Sequence, residues 1–435
     1  MFGCDGAHFP CDRTQSRTMV QTRSLQTAIE AIAQAARGGR VFLTAGPSEP
    51  VTLHDAWAQA PDLAGGLTFC GLFLPGINTR DYSRLAHDAI MEAPMASPDW
   101  RAGVADGRVR VAPLHYSQSF ARLLKLGADA GVFMVSPPDR EGMVSFGPSA
   151  DIGPAMLART GFKLALINAR MPAFLGAPRA ALGDFSACLE IDAPLTQLPA
   201  PQVSSDMKII AANAAAFVRD GDTIQTGIGR LPGAILQALR AHADLRSHSG
   251  LLGAGHFDLL DAGVIAPGAG SMVAGVILGD EALYARAALE TCIALADVAT
   301  THAPTKAPER FIALNAALEV DLFGQINAEY AGAQWISGVG GLTDFIRLSR
   351  ASPGGRAIVA VQARGKGGIS RIVGRLNVNS VTVARADAPI IVTEFGGADL
   401  SLLDTQARAR ALINIAPPEA QDALRAEWME MGSGL

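Results

Sequence analysis

Two glycine-rich turns hold the residues best suited to chemistry. The first reads Thr226-Gly227-Ile228-Gly229-Arg230-Leu231-Pro232-Gly233 and opens into a helical pattern. The second reads Ser337-Gly338-Val339-Gly340-Gly341. Each follows an apolar or β-branched segment. Backbone N–H groups exposed on such turns, ahead of a helix N-terminus, can hold a pyrophosphate or an oxyanion. The plainer reading is a tight left-handed turn without a ligand. Neither turn fits GxGxxG with an acidic residue downstream, nor a Walker loop, so nucleotide binding is not indicated.

Two carboxylates stand near these turns. Glu329 lies in Gly324-Gln325-Ile326-Asn327-Ala328-Glu329-Tyr330, just ahead of the second turn. Glu394 ends an apolar run, Val392-Thr393-Glu394. Open α/β folds place chemistry at the C-terminal ends of parallel strands. For any single Glu, a cap or an ion pair is the competing reading. His248 beside Ser249 offers a base and a nucleophile, or a turn whose polar groups are satisfied. No HxxxH spacing and no His/Cys/Asp cluster is present, so no catalytic metal is expected.

Half of the 435 residues are apolar (49%), 18% are charged, and the net charge is −5. That is globular composition, and no Lys/Arg block points to nucleic acid. The five cysteines are scattered without a CxxC pair. They read as reduced thiols in a cytoplasmic protein. The first 18 residues lack an apolar h-region and read as an extension, not a secretory signal. The longest apolar run, 262–279, is broken by Pro267 and five glycines. It reads as buried loop and strand, not a membrane span.

The elements that must position the turns alternate. Helical periodicity covers 24–36, 51–58, 117–126, 206–219, 281–286 and 405–413. Strand patterns cover 41–44, 67–74, 108–112, 130–136, 162–168, 270–278, 311–314 (continued by 317–322), 357–362 and 390–393. Such alternation predicts an α/β fold with a largely parallel, covered sheet. A proline-rich stretch after Ile191 marks a boundary. The expected organisation is a flexible extension over 1–20, one domain over 21–200 and a second over 201–435. An internal repeat supports two like units. Gly39, Thr44 and Pro50 fall at the same offsets as Gly221, Thr226 and Pro232, each copy behind a helix.

Further stretches extend the pattern: Val135-Ser136-Pro137-Pro138-Asp139, Leu245-Arg246-Ser247-His248-Ser249-Gly250, Glu319-Val320-Asp321-Leu322-Phe323-Gly324, Ile369-Ser370-Arg371-Ile372-Val373 and Val392-Thr393-Glu394-Phe395-Gly396. Taken in order with the two turns, they resemble the acetyl-CoA hydrolase/transferase family of class I CoA-transferases over nearly the whole chain. The resemblance implies two similar open α/β domains with the active site between them. It implies an acyl-CoA substrate, a small carboxylic acid as second substrate, and a homodimer. In the family a Glu carboxylate attacks the thioester and carries CoA as a glutamyl thioester. Gly338, Gly340 and Gly341 then map to the family's oxyanion and CoA-contact loop and Glu394 to a second active-site glutamate, while Gly227, Gly229 and Gly250 are also expected to border the CoA.

One departure decides the mechanism. Where the family reads His-Thr-Glu, this chain reads His248-Ser249-Gly250. Glycine cannot form an anhydride. Three expectations follow. Glu394 or His248 activates water or an acceptor by a variant route, or Glu329 or Glu394 replaces the nucleophile. Otherwise the chain is a non-catalytic CoA-binding homologue.

Overall fold

The computed structural model of the protein describes residues 20–199 and 204–432. The extension expected over 1–20 lies almost wholly outside the described residues. Two eight-stranded sheets form the frame. The first is built, in spatial order, from Val20–Gln21, Ala187–Ile191, Thr160–Asn168, Ala128–Val135, Arg40–Leu43, Thr68–Cys70, Ile90–Ala93 and Val109–Val111. All its pairings are parallel. The second runs Ile293–Leu295, Met272–Leu278, Arg246–Gly253, Thr223–Thr226, Phe311–Ala316, Arg356–Ala360, Ile390–Thr393 and Gly396–Asp399. Only its last pairing is antiparallel.

The two sheets share a winding order. Arg40–Leu43 and Thr223–Thr226 are the equivalent strands from which the chain first steps one way and then the other. These are the strands aligned by the repeat Gly39/Gly221. Ligands of open α/β sheets bind in the crevice beyond the strand ends at such a switch point. Helices cover the sheets with their apolar faces. Leu25–Ala36 buries Ala28, Ile29, Ile32 and Ala36, and Ser24 caps it by accepting the Thr27 N–H. An apolar core of buried side chains continues through both sheets, from Ile29 and Phe69 to Leu252 and Ile358.

The sheets are also sewn together directly. Ala150 N donates to Gly275 O, and Ile277 N donates to Pro148 O. A first-sheet loop therefore lies along strand Met272–Leu278. Gly275 makes room for it, since a β-carbon there would sit 2.9 Å from Cβ of Asp151.

Several expectations need correction. Of 67–74, only Thr68–Cys70 pairs. Leu74 and Pro75 become cavity wall instead. Residues 317–322 do not prolong Phe311–Ala316. Glu319–Asp321 belongs to a separate three-stranded sheet with Ile326–Asn327 and Ile372–Val373. The stretch around His248 is a central strand, Arg246–Gly253, not a turn. Its serines and glycines hide the pattern, because a strand paired on both sides needs no alternation. Among the described residues, no helix is long and apolar enough to cross a membrane.

Candidate active site

A cavity of about 270 Å³ opens between the two sheets at the switch point of the second. Its floor comes from Gln225, Thr226 and Gly227 at the end of one strand, Asn315 and Ala316 at the end of the next, and Gly250 and Leu251. Leu74, Pro75, Met95 and Tyr116 close it from the side of the first sheet. Residues 337–342 and Phe345 form the remaining wall. Gln225 and Asn315 hold each other, with Nδ2 of Asn315 2.8 Å from Oε1 of Gln225. Their buried amides thus satisfy one another.

The second glycine turn is gripped from the side of the first sheet. Ala96 N donates to Ser337 O and Tyr116 N to Gly340 O. Ser117 donates through its N–H and hydroxyl to the Asp344 carboxylate. Gly340 takes a left-handed φ of 55°. A β-carbon on Gly338 would meet Cα of Met95 at 2.9 Å, so only glycine allows this approach. With its carbonyls so engaged, the loop keeps spare donors. Among the described residues, nothing accepts from the N–H groups of Val339, Gly340 or Gly341. Gly341 also begins helix Leu342–Ala351, whose N-terminal dipole end adds positive potential at the cavity. Free backbone donors beside a helix N-terminus are what an oxyanion requires.

The first glycine turn contributes Gly227 and Ile228 to the wall. Gly229 lies one residue beyond and starts helix Arg230–Ala238. Gly250, Gly338, Gly340 and Gly341 all line the cavity.

The three expected side chains lie elsewhere. His248 is buried on strand Arg246–Gly253, edge-on to Phe311, and its Nε2 has no hydrogen-bond partner among the described residues. Burial pushes its pKa down, opposed by the backbone carbonyls of Thr301 and Thr300. Ser249 faces the opposite side of the strand and donates to Thr226 O. The pair therefore cannot act as base and nucleophile together. Glu329 is buried, its Oε1 has no hydrogen-bond partner among the described residues, and burial raises its pKa. Glu394 accepts from the N–H groups of Ala363 and Arg364, both at 2.8 Å. Its strand is two places across the sheet from Phe311–Ala316, or about 10 Å at ordinary strand spacing. None of the three lines the cavity.

One residue that sequence reasoning missed does. His302 follows the short helix Val298–Thr301 and reaches the cavity between Gly250 and Gly341. Its ring packs against Phe345 (centroids 4.4 Å apart) and Tyr116 (5.2 Å). The Tyr116 hydroxyl in turn donates to buried Asp151 at 2.8 Å. Burial pushes the His302 pKa down to about 3, with His248 adding repulsion. Among the described residues, no group of three or more His, Cys, Asp or Glu is gathered for a metal.

Comparison with known proteins agrees with this architecture. The acetyl-CoA hydrolase/transferase N-terminal domain matches residues 10–180, and the C-terminal domain of the same family matches residues 279–428. A 4-hydroxybutyrate coenzyme A transferase of Clostridium kluyveri is 31% identical over 94% of this chain and 98% of its own. The crystal structure of RipA from Yersinia pestis superposes with a TM-score of 0.83 at 26% identity, over 93% of this chain and 96% of that one. A 4-hydroxybutyrate CoA-transferase from Porphyromonas gingivalis gives 0.75 at 26% identity, over 93% and 97%. The chain belongs to the acetyl-CoA hydrolase/transferase family.

Proposed function

We propose that the cleft binds an acyl-CoA and acts on the thioester of a small carboxylic acid, by a route that does not pass through a glutamyl thioester. The observation that carries this reading is the loop of residues 338–341. Its residues line a mostly apolar cavity between the two sheets, lead into a helix N-terminus, and carry N–H groups that find no acceptor among the described residues. That suits an acyl group whose carbonyl oxygen becomes negative during reaction. The size of the cavity suits a short acyl chain and its thioester. Coenzyme A enters as part of the substrate.

Gly250 lies at the cavity floor where the family nucleophile is expected, and it brings no carboxylate. No Asp or Glu is among the lining residues to replace it. Transfer through an enzyme-bound carboxylate is therefore disfavoured, and direct attack by water or another acceptor is favoured. The test is a panel of acetyl-, propionyl-, butyryl- and succinyl-CoA, with and without acetate or succinate. Free thiol and protein-bound CoA are followed. Acceptor-independent thiol release is expected. Tight CoA binding with no thiol release from any thioester would identify a non-catalytic binder.

A further inference from the structure

We infer that His302 is the catalytic base of this cleft: its Nε2 takes the proton of a water that attacks the thioester, making the reaction a hydrolysis. The inference deepens the acyl-CoA reading above and rests on it.

Position is the first argument. Among the residues that line the cavity, only His302 and Tyr116 titrate. The Tyr116 hydroxyl already donates to Asp151, and its pKa is raised by burial. A β-carbon on Gly341 would come within 2.8 Å of Nε2 of His302, and one on Gly250 within 3.3 Å. Nε2 thus sits between the oxyanion loop and the floor position that the family gives to its nucleophile.

The tautomer is the second. Thr301 Oγ1 donates to Asp297 O at 3.2 Å and lies 2.8 Å from Nδ1 of His302. We assign the hydroxyl proton to Asp297 O, the i−4 carbonyl to which a helical threonine back-bonds, so that the hydroxyl accepts from Nδ1–H. The lone pair is then on Nε2, which has no partner among the described residues. The other buried imidazole nearby is set the opposite way. Gly253 N donates to Nδ1 of His256, which puts the proton on Nε2, facing Thr226 Oγ1 at 3.2 Å. His256 therefore donates to Thr226 and cannot deprotonate it. Thr226 lines the cavity but lacks a base, so it is not the nucleophile.

The step balances without a co-reactant other than water. Nε2 removes a water proton as the oxygen bonds to the thioester carbon, and the carbonyl electrons move to oxygen beside the free N–H groups of Gly340 and Gly341. Collapse breaks the C–S bond. The imidazolium returns its proton to the sulfur, releasing a carboxylic acid and CoA thiol. Burial keeps the ring neutral but lowers its basicity, and the oxyanion forming beside it offsets that cost by stabilising the imidazolium.

The experiment compares wild type, His302→Ala and His302→Phe on acyl-CoAs without acceptor. CoA affinity is measured by calorimetry and folding by circular dichroism. His302→Phe preserves the stack between Tyr116 and Phe345 if the smaller residue unsettles it. Expected is a loss in kcat of about 100-fold or more in both variants, as for removal of a general base, with CoA affinity within about threefold. Added imidazole should restore at least part of the turnover of His302→Ala and leave wild type unchanged. Folded variants that retain turnover overturn the assignment of His302. An acyl adduct on His302 in acid-quenched enzyme overturns the water step. A wild type that binds CoA but releases no thiol overturns the acyl-CoA reading itself, a separate result.

Discussion

A β-carbon added to Gly250 would stand 3.0 Å from Cε1 of His302. The imidazole therefore occupies the room into which a side chain at position 250 would project. The missing carboxylate and the inserted ring are two sides of one arrangement.

This relationship predicts how transferase chemistry can be installed. Gly250→Glu alone must displace the ring from between Phe345 and Tyr116. It should lower acceptor-independent hydrolysis at least tenfold and add little transfer. Gly250→Glu combined with His302→Gly frees the space. The double variant should show acceptor-dependent CoA transfer and inactivation by borohydride in the presence of acyl-CoA. Full transfer by the single variant, with hydrolysis intact, would show that the ring does not compete for that space.

Gly341 tests the same contact from the other wall. A β-carbon there would lie 2.8 Å from Nε2 of His302 and 3.0 Å from Cε2 of Phe345. Gly341→Ala should shift the ring and reduce kcat about tenfold or more, since small misplacements of a catalytic group are costly. CoA affinity should change far less. An unaltered kcat would remove the close packing around Nε2 from the account.

Part of this site was legible in the sequence and part was not. The turns at Gly227 and Gly338 could be read because glycine clusters ahead of helical patterns mark local geometry that sequence encodes directly. Their convergence on one cavity follows from the shared sheet winding, which the repeat of Gly39 and Gly221 foreshadowed. His302 gave no signal. Thr300-Thr301-His302-Ala303 has no motif. The ring reaches the cavity only because strand Ile293–Leu295 and a four-residue helix deliver it there. Glu394 was read rightly as a carboxylate just past a strand end. Its distance from the cavity depends on lateral strand order, which local patterning does not carry.

That position sets the expectation for Glu394. Its two oxygens each accept a backbone N–H, from Ala363 and Arg364. Such charge-assisted bonds fix the loop after strand Arg356–Ala360. Glu394→Gln keeps one acceptor and should lower stability by about 1–2 kcal/mol, with turnover reduced no more than a few-fold. Urea denaturation and initial rates check both. Complete loss of turnover in a folded Glu394→Gln protein would return Glu394 to the chemistry.

Asp151 supplies a pH signature. Its carboxyl is buried, and burial raises its pKa from 3.8 to about 6, against the opposing hydrogen bond from Tyr116. A raised carboxyl pKa means that the folded state holds the proton more tightly than the unfolded one. The contribution is fully present below about pH 4 and is lost as pH rises through about 6. Asp151→Asn still accepts from Tyr116 but bears no charge. The variant should therefore gain stability relative to wild type as pH climbs from 4 to 6, by at most about 3 kcal/mol for a shift near two units. The depressed His302 and His256 act with opposite sign, gaining stability as pH rises towards their ordinary range. They are present in both proteins and cancel in the difference. Urea midpoints at a series of pH values give that difference directly. A flat difference, or one that turns against the variant with rising pH, would mean that Asp151 is not carrying a buried charge beside Tyr116.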